Sequence, residues 1–262
     1  MNFNFDPQLI HIYGHLGIHS YGLFIAIGII ISMWAIKQNK RFAQLHLKNV
    51  YLDIITMTII IACIGGRALA ILSEPHLYPD WYDWFALWKG GFSTLGSVLG
   101  IILIMPLYLK KIQISILPLF DLVAIYAPLM QAIGRLGCFT AGCCYGKATT
   151  NNAWSIIYTN PHTLAPCGVA LYPTQIYSSF MLFTIFLFLF FIAQKYSNKN
   201  GQLFALYLIL VSTERFIIDF WRDDRIMTTT YLSFHQIVAL CIIITIVIFY
   251  YFLAKRIFKE LI

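Results

Sequence analysis

The chain has 262 residues, of which 60% are apolar and only 11% are Asp, Glu, Lys or Arg. A soluble domain carries roughly 25% charged residues, so this chain cannot cover its own surface against water, and lipid is the expected solvent. The net charge of +7 does not point to nucleic acid, because the basic residues lie in short clusters between long apolar runs and not on one face.

Residues 1–18 contain no Lys or Arg, so a cleavable signal peptide with its positive leader is not expected. Phe3, Phe5, Leu9, Ile10, Ile12 and Tyr13 suit a segment lying in the membrane interface, although a plain polar tail fits as well. A spanning helix needs about 20 apolar residues. Seven segments qualify: 19–36, 51–73, 92–109, 115–136, 173–194, 201–221 and 232–254. The prediction is an all-α polytopic membrane protein, with residues 1–262 forming one transmembrane domain. Between the second and third spans, Tyr78, Trp81, Tyr82, Trp84, Phe85 and Trp88 read as an interfacial aromatic belt. The longest connection, 137–172, is rich in Gly, Cys, Asn, Thr and Pro.

Basic residues set the orientation. Lys37, Lys40, Arg41 and Lys48 follow the first span, Lys110 and Lys111 the third, Lys195 and Lys199 the fifth, and Lys255, Arg256 and Lys259 the seventh. The opposite loops hold only Lys89, Lys147, Arg222 and Arg225. Positive charge stays on the cytoplasmic side, so the N-terminus and the 137–172 connection are expected outside and the C-terminus inside.

Three more arginines lie within or at the ends of spans: Arg67, Arg135 and Arg215. An arginine at the centre of a spanning helix costs about 2.5–3.5 kcal/mol even on the lenient insertion scale. In this orientation all three fall in the outer half of the membrane, where they could hold an anionic headgroup or merely anchor helix ends. Arg215, Asp219 and Arg222 are spaced i, i+4, i+7 and share one helix face. Asp219 neutralises one arginine and leaves net positive charge for a phosphate, whose geometry arginine's planar fork suits. Glu214 points elsewhere around the helix and has no assigned role. Gly65-Gly66 before Arg67, Gly90-Gly91 before the third span, and Gly134 and Gly137 around Arg135 are read as lining a polar cavity, with tight helix packing as the other reading.

The stretch Gly134-Arg135-Leu136-Gly137-Cys138-Phe139-Thr140-Ala141-Gly142-Cys143-Cys144-Tyr145-Gly146 resembles the signature of the prolipoprotein diacylglyceryl transferase family, in a cysteine-rich form. Five other stretches resemble that family's motifs in order: His19-Ser20-Tyr21-Gly22-Leu23, Gly65-Gly66-Arg67, Trp88-Lys89-Gly90-Gly91-Phe92-Ser93, Tyr172-Pro173-Thr174-Gln175-Ile176-Tyr177, and Arg215 to Arg222. The resemblance implies a multi-pass enzyme of the bacterial inner membrane. It moves the diacylglyceryl group of phosphatidylglycerol onto the lipobox cysteine of a prolipoprotein, forming a thioether and releasing glycerol phosphate. Its partners are membrane lipids and the prolipoprotein's signal-peptide region, and no cofactor is expected. By this resemblance Arg135 and Arg215 hold the lipid phosphate, Arg67 and Arg222 support them, and Asp219 orients them.

The chain departs from the pattern where protons are handled. The family's third-span histidine, a candidate for activating the thiol, is Leu95 here, and leucine takes no proton. The Asn and Glu of the signature are Cys138 and Cys143, a tyrosine before Arg215 is Val211, the His before Pro173 is Tyr172, and a Glu is Asp219. Tyr21 is the favoured substitute base, with Tyr172, Tyr177 and Asp219 as others; a tyrosine, with a pKa of about 10, needs the arginines to lower it. Leu95 also keeps open a divergent paralogue acting on another lipid or acceptor. A lipid transporter fits less well, since no internal repeat is visible.

Cys63 and Cys241 lie inside spans and read as small core residues. Cys138, Cys143, Cys144 and Cys167 lie in or beside the outer connection, where an oxidising compartment favours disulfides, although the spacing does not fix their pairing. The C-x4-C-C spacing lacks the paired C-x2-C of structural zinc sites, so no metal is expected.

Overall fold

The computed structural model describes residues 2–13, 16–85, 93–150 and 154–260. Of the residues singled out above, Trp88, Lys89, Gly90, Gly91 and Phe92 lie outside these, as do the side chains of Ile10, Ile12, Tyr13, Lys255, Arg256 and Lys259. A helix lies over each of the seven apolar segments. These are α1 (Ser20–Gln38), α3 (Tyr51–Ser73), α4 (Thr94–Lys111), α5 (Ile116–Ala141), α6 (Thr174–Phe188), α8 (Gln202–Asp219) and α9 (Phe234–Glu260). Short helices α2 (Lys40–Gln44) and α7 (Gln194–Tyr196) follow α1 and α6, the latter through a π-helical turn at Leu189–Ala193. Four helical stretches are long and apolar enough to cross a membrane: Ser20–Gln38, Tyr51–Ser73, Ile116–Ala141 and Thr174–Tyr196. The protein is therefore a polytopic membrane protein. Ile30, Trp34, Leu72 and Phe180 stand exposed on these helices, as expected where lipid rather than water meets the surface.

Two compact units divide the chain. One comprises residues 37–120. In it α3 packs on α4, and the crossing is set by glycines. A side chain on Gly96 would lie 2.3 Å from the Gly65 carbonyl oxygen, and one on Gly65 would lie 2.5 Å from that of Gly96. Ser93 caps α4 and donates its backbone N–H to the Gly66 carbonyl at 3.0 Å, while Ser97 Oγ donates to the Ala62 carbonyl at 2.8 Å. The Gly65-Gly66 pair thus serves helix contact and not a polar cavity, because absent side chains let two backbones meet. Arg67 is buried two residues on. Its Nη2 donates to the Asp83 carbonyl and its Nε to the Trp84 carbonyl at 3.3 Å, and its guanidinium lies 4.5 Å from the Tyr78 ring centroid. The arginine thereby fastens the aromatic segment, whose Trp81, Tyr82, Trp84 and Phe85 remain exposed.

The other unit comprises residues 1–36 and 121–262. Here α8 packs against α6 and α9. Asp121, fully buried on α5, accepts the backbone N–H groups of Gly201 (2.7 Å) and Phe204 (2.8 Å). Gly201, the residue before α8, has no side chain to cap the helix, and the carboxylate meets the positive end of its dipole. At the other end of α8 the chain turns into α9 through a reciprocal capping box. Ser233 Oγ accepts from Gln236 N at 3.2 Å, and Gln236 Oε1 accepts from Ser233 N at 3.0 Å.

The fold is mostly helical, as expected, and the 137–172 connection adds short strands to it. Strand β4 (Ile156–Tyr158) pairs antiparallel with β5 (Ala170–Leu171) and parallel with β1 (Asn2–Phe3). Ile156, Tyr158, Ala165 and Leu171 form a small core, with Phe3, Phe139 and Tyr145 packed on it. The N-terminal residues close this cap, and β2 (Gln8–Tyr13) pairs with β3 (Leu16–His19) as a hairpin leading to α1.

Candidate functional site

The fourth apolar segment was expected to end at 136, yet α5 runs on to Ala141, carrying Arg135, Cys138 and Thr140 on helical backbone. Glycine in a helix costs about 1 kcal/mol relative to alanine, but at membrane depth an unpaired backbone group costs several kcal/mol, so the helix continues. Thr140 Oγ1 lies 3.0 Å from Ser20 Oγ and donates to the Gly137 carbonyl at 2.9 Å, tying the end of α5 to the start of α1. Tyr21 follows on α1, half-exposed, within electrostatic range of Arg135 and of Cys138, Cys143 and Cys144.

Beyond Ala141 the backbone doubles back. Gly142 has φ +73° and Cys144 φ +59°, both left-handed. A side chain on Gly142 would lie 3.0 Å from Thr163 Cβ, so glycine is required there twice over. The turn is held on both sides. Cys143 N donates to the Cys138 carbonyl at 3.1 Å. From the buried start of α6, Gln175 Nε2 donates to the Cys143 carbonyl and Thr174 Oγ1 to the Cys144 carbonyl, both at 2.8 Å. As a result the three sulfurs of Cys138, Cys143 and Cys144 lie within 4.8 Å of one another. The Cys144 thiol is held below the ordinary thiol range, first by contact with Cys138 and Cys143 and then by the positive charge of Arg222 and Arg135. Contact with the Cys138 and Cys144 sulfurs pushes Cys143 up.

All six cysteines are free thiols, and exposed Cys167 turns its sulfur to the Asn160 carbonyl at 3.3 Å. The C-x4-C-C spacing, read as unsuited to a metal, nevertheless gathers three sulfurs, because two left-handed residues fold the sequence back on itself.

The four arginines differ in how they are engaged. Arg135 is half-buried and forms no hydrogen bond or ion pair among the described residues. Arg215 Nη2 stands 3.9 Å from Asp219 Oδ1, an ion-pair distance too long for a hydrogen bond. Asp219 is buried, its Oδ2 accepting from Ser233 Oγ and its Oδ1 without a hydrogen bond among the described residues. The capping serine of α9 thus aims the carboxylate toward Arg215. Arg222, also buried, is instead engaged: its Nε and Nη2 clasp Asp224 at 2.8 and 2.6 Å. Lys147 N donates to the Trp221 carbonyl at 2.8 Å and Asp223 N to the Tyr145 carbonyl at 3.3 Å, so the cysteine turn and the end of α8 are stitched together. Arg67, by contrast, belongs to the 37–120 unit with its fork on backbone carbonyls, and Leu95 is an exposed residue in the first turn of α4.

Glu214, which had no role from sequence, is buried and accepts a hydrogen bond from Ser178 Oγ on α6, within electrostatic range of Arg135, Arg215 and Arg222. Its place beside Arg215 was the only sequence signal for it. One side of the 1–36 and 121–262 unit therefore gathers three cations, two buried carboxylates, a phenol and three thiols at helix ends.

The chain can be set against known proteins. A family model described as prolipoprotein diacylglyceryl transferase matches residues 7–252. The chain is 34% identical over 241 residues to a phosphatidylglycerol–prolipoprotein diacylglyceryl transferase of Clostridium tetani, covering 91% of this chain and 94% of that one. It is 35% identical over 240 residues to a second such transferase of Clostridium perfringens, with 90% and 91% covered. A Dehalococcoides mccartyi protein of the same name is 34% identical over 230 residues, with 84% of each chain covered. The chain belongs to the prolipoprotein diacylglyceryl transferase family.

Proposed function

We propose that the protein transfers the diacylglyceryl group of phosphatidylglycerol to the thiol of a prolipoprotein's lipobox cysteine, in the bacterial inner membrane. The observation that carries this reading is the pair Arg135 and Arg215. Two membrane-depth cations without a hydrogen-bonded partner among the described residues are costly, and a phosphate offers the bidentate acceptor that their forks lack. Asp219 orients Arg215. Arg222, clasped by Asp224, supports the loop beside the site, and Arg67, on its carbonyls, holds the aromatic segment of its own unit. Tyr21 stands at the thiol side of the site. The leaving glycerol phosphate gains charge as the carbon–oxygen bond breaks, and fixed cations there stabilise it without reorganisation. In this reading the lipid enters sideways from the bilayer. A bacterium depleted of its own transferase is expected to regain processed lipoproteins when this chain is expressed. Failure at matched membrane levels, with phosphatidylglycerol still bound, would favour a paralogue acting on another acceptor, the reading that Leu95 supports.

The same reading has seven spans in a single membrane domain, the N-terminus and the 137–172 cap outside and the C-terminus in the cytoplasm. A single cysteine introduced at residues 195–200 is expected to react with a membrane-impermeant maleimide only after the inner membrane is permeabilised, and one near residue 150 in intact spheroplasts. The reverse pattern would invert the topology and remove the site from the outer face.

A further inference from the structure

We infer that Cys138, Cys143 and Cys144 form a three-thiolate site for a zinc ion whose open fourth position takes the acceptor's cysteine thiol. This inference rests on the transfer reaction proposed above and supplies what that reaction lacks. A thiol must lose its proton to become a nucleophile, and the chain carries Leu95 where the resemblance puts a histidine.

The geometry fits zinc. Tetrahedral zinc holds sulfur at about 2.3 Å, which sets sulfur–sulfur separations of roughly 3.8 Å. The three Sγ atoms already lie within 4.8 Å of one another, so rotamer adjustments of about an ångström or less close the site. Among the described residues no fourth His, Cys, Asp or Glu ligand joins the group. Structural zinc is closed by four protein ligands, whereas catalytic zinc keeps three and an open position. The backbone is preorganised: Cys144 is held in a left-handed conformation rare for a residue other than glycine, and the carbonyls of Cys143 and Cys144 are pinned by Gln175 and Thr174. Such strain persists where the surroundings fix it, and fixed ligands are what a metal site needs.

The electrostatics fit as well. Zinc with three thiolates carries a net charge of −1, costly at a helix end in the membrane unless a cation stands near. Arg135, with no hydrogen bond or ion pair among the described residues, sits on α5 three residues before Cys138 and on the same helix face. One face of α5 therefore offers a cation for the lipid phosphate beside a metal for the acceptor thiol.

The step balances. The lipobox thiol coordinates zinc and gives up its proton, since a metal-bound thiol is deprotonated outright. The thiolate sulfur attacks the glyceryl carbon that carries the phosphate. The sulfur–carbon bond forms as the carbon–oxygen bond breaks, the electron pair leaves on glycerol phosphate, and the released proton goes to that phosphate or to water. No oxidant or reductant is consumed.

The test uses the full chain in detergent micelles, stripped with chelator under reductant and reloaded with Zn²⁺ or Co²⁺. Expected are one metal per chain and, with Co²⁺, thiolate-to-metal charge-transfer absorption. A lipobox peptide with its cysteine should shift the Co²⁺ d–d bands, and the same peptide with serine should not. C138S, C143S and C144S should each lose stoichiometric metal and about 10²–10⁴ in transfer rate, the range a lost thiol-activating group commonly costs; C167S should keep both. Metal-free protein that transfers at the full rate overturns the inference and leaves the transferase reading standing. A disulfide among the three cysteines in never-reduced protein overturns it too. A Co²⁺ spectrum that answers the thiol peptide in a protein that transfers no diacylglyceryl supports the site and removes the transferase reading.

Discussion

Arg135→Ala and Arg215→Ala are each expected to lower transfer of diacylglyceryl from phosphatidylglycerol to a lipobox peptide by about 10²–10³-fold, at matched membrane levels. The expectation follows from what each guanidinium touches. Arg135 forms no hydrogen bond or ion pair among the described residues, and Arg215 meets only Asp219 at 3.9 Å. Neither is committed to holding the fold, so each is free to accept a phosphate and to strengthen that contact as the leaving group gains charge. Arg215→Lys should recover little. Lysine presents a single ammonium, not a planar fork, and cannot keep two parallel contacts with the phosphate while Asp219 draws on it. Full activity in both alanine variants would mean that these arginines only anchor helix ends, and the phosphate clamp would have to be given up.

Arg222 and Arg67 behave differently because their forks are taken. Arg222 is held by Asp224 at 2.8 and 2.6 Å, beside the backbone contacts that join the cysteine turn to the end of α8. Arg67 binds the Asp83 and Trp84 carbonyls and the Tyr78 ring. Replacing either disturbs loop placement first and chemistry second. The partners of the four arginines separate the two uncommitted ones from the two structural ones.

The helices were legible because lipid imposes length: residues 51–73 read as a span and form α3 with those bounds. The Arg215–Asp219 pair was legible because i, i+4 spacing puts both on one face. Other features were not, for identifiable reasons. Strands of two or three residues carry no alternation to read, and β1 finds its partner more than 150 residues away, at Ile156–Tyr158. The cysteine cluster depends on left-handed backbone at Gly142 and Cys144; glycine hints at this but an L residue does not. Disulfides were expected from compartment alone, yet compartment says nothing of where Cys167 points. Gly65-Gly66 looked like a cavity lining because a missing side chain signals close approach without saying of what; here the approaching group is a second helix.

That helix crossing gives the other large expected effect. Gly96→Val should prevent α3 and α4 from packing and cost about 3 kcal/mol or more, the upper end for overfilled cores. The added Cβ would stand 2.3 Å from the Gly65 carbonyl oxygen and 2.6 Å from Leu69 Cβ. The first obstacle is backbone, which cannot rotate aside, so the helices must part. Parting also breaks the Ser97 hydroxyl's bond to Ala62 and the Ser93 N–H bond to Gly66, each contributing about 1 kcal/mol. Gly22→Ala serves as the control. It lies in α1 with nothing within 4 Å of an added Cβ, and alanine in a helix favours folding by about 0.5–1 kcal/mol over glycine. Thermal unfolding of the purified protein in micelles should show Gly22→Ala at or slightly above the parent, and Gly96→Val well below it or absent from the membrane. A Gly96→Val protein as stable as the parent would show that α3 and α4 do not cross at these glycines.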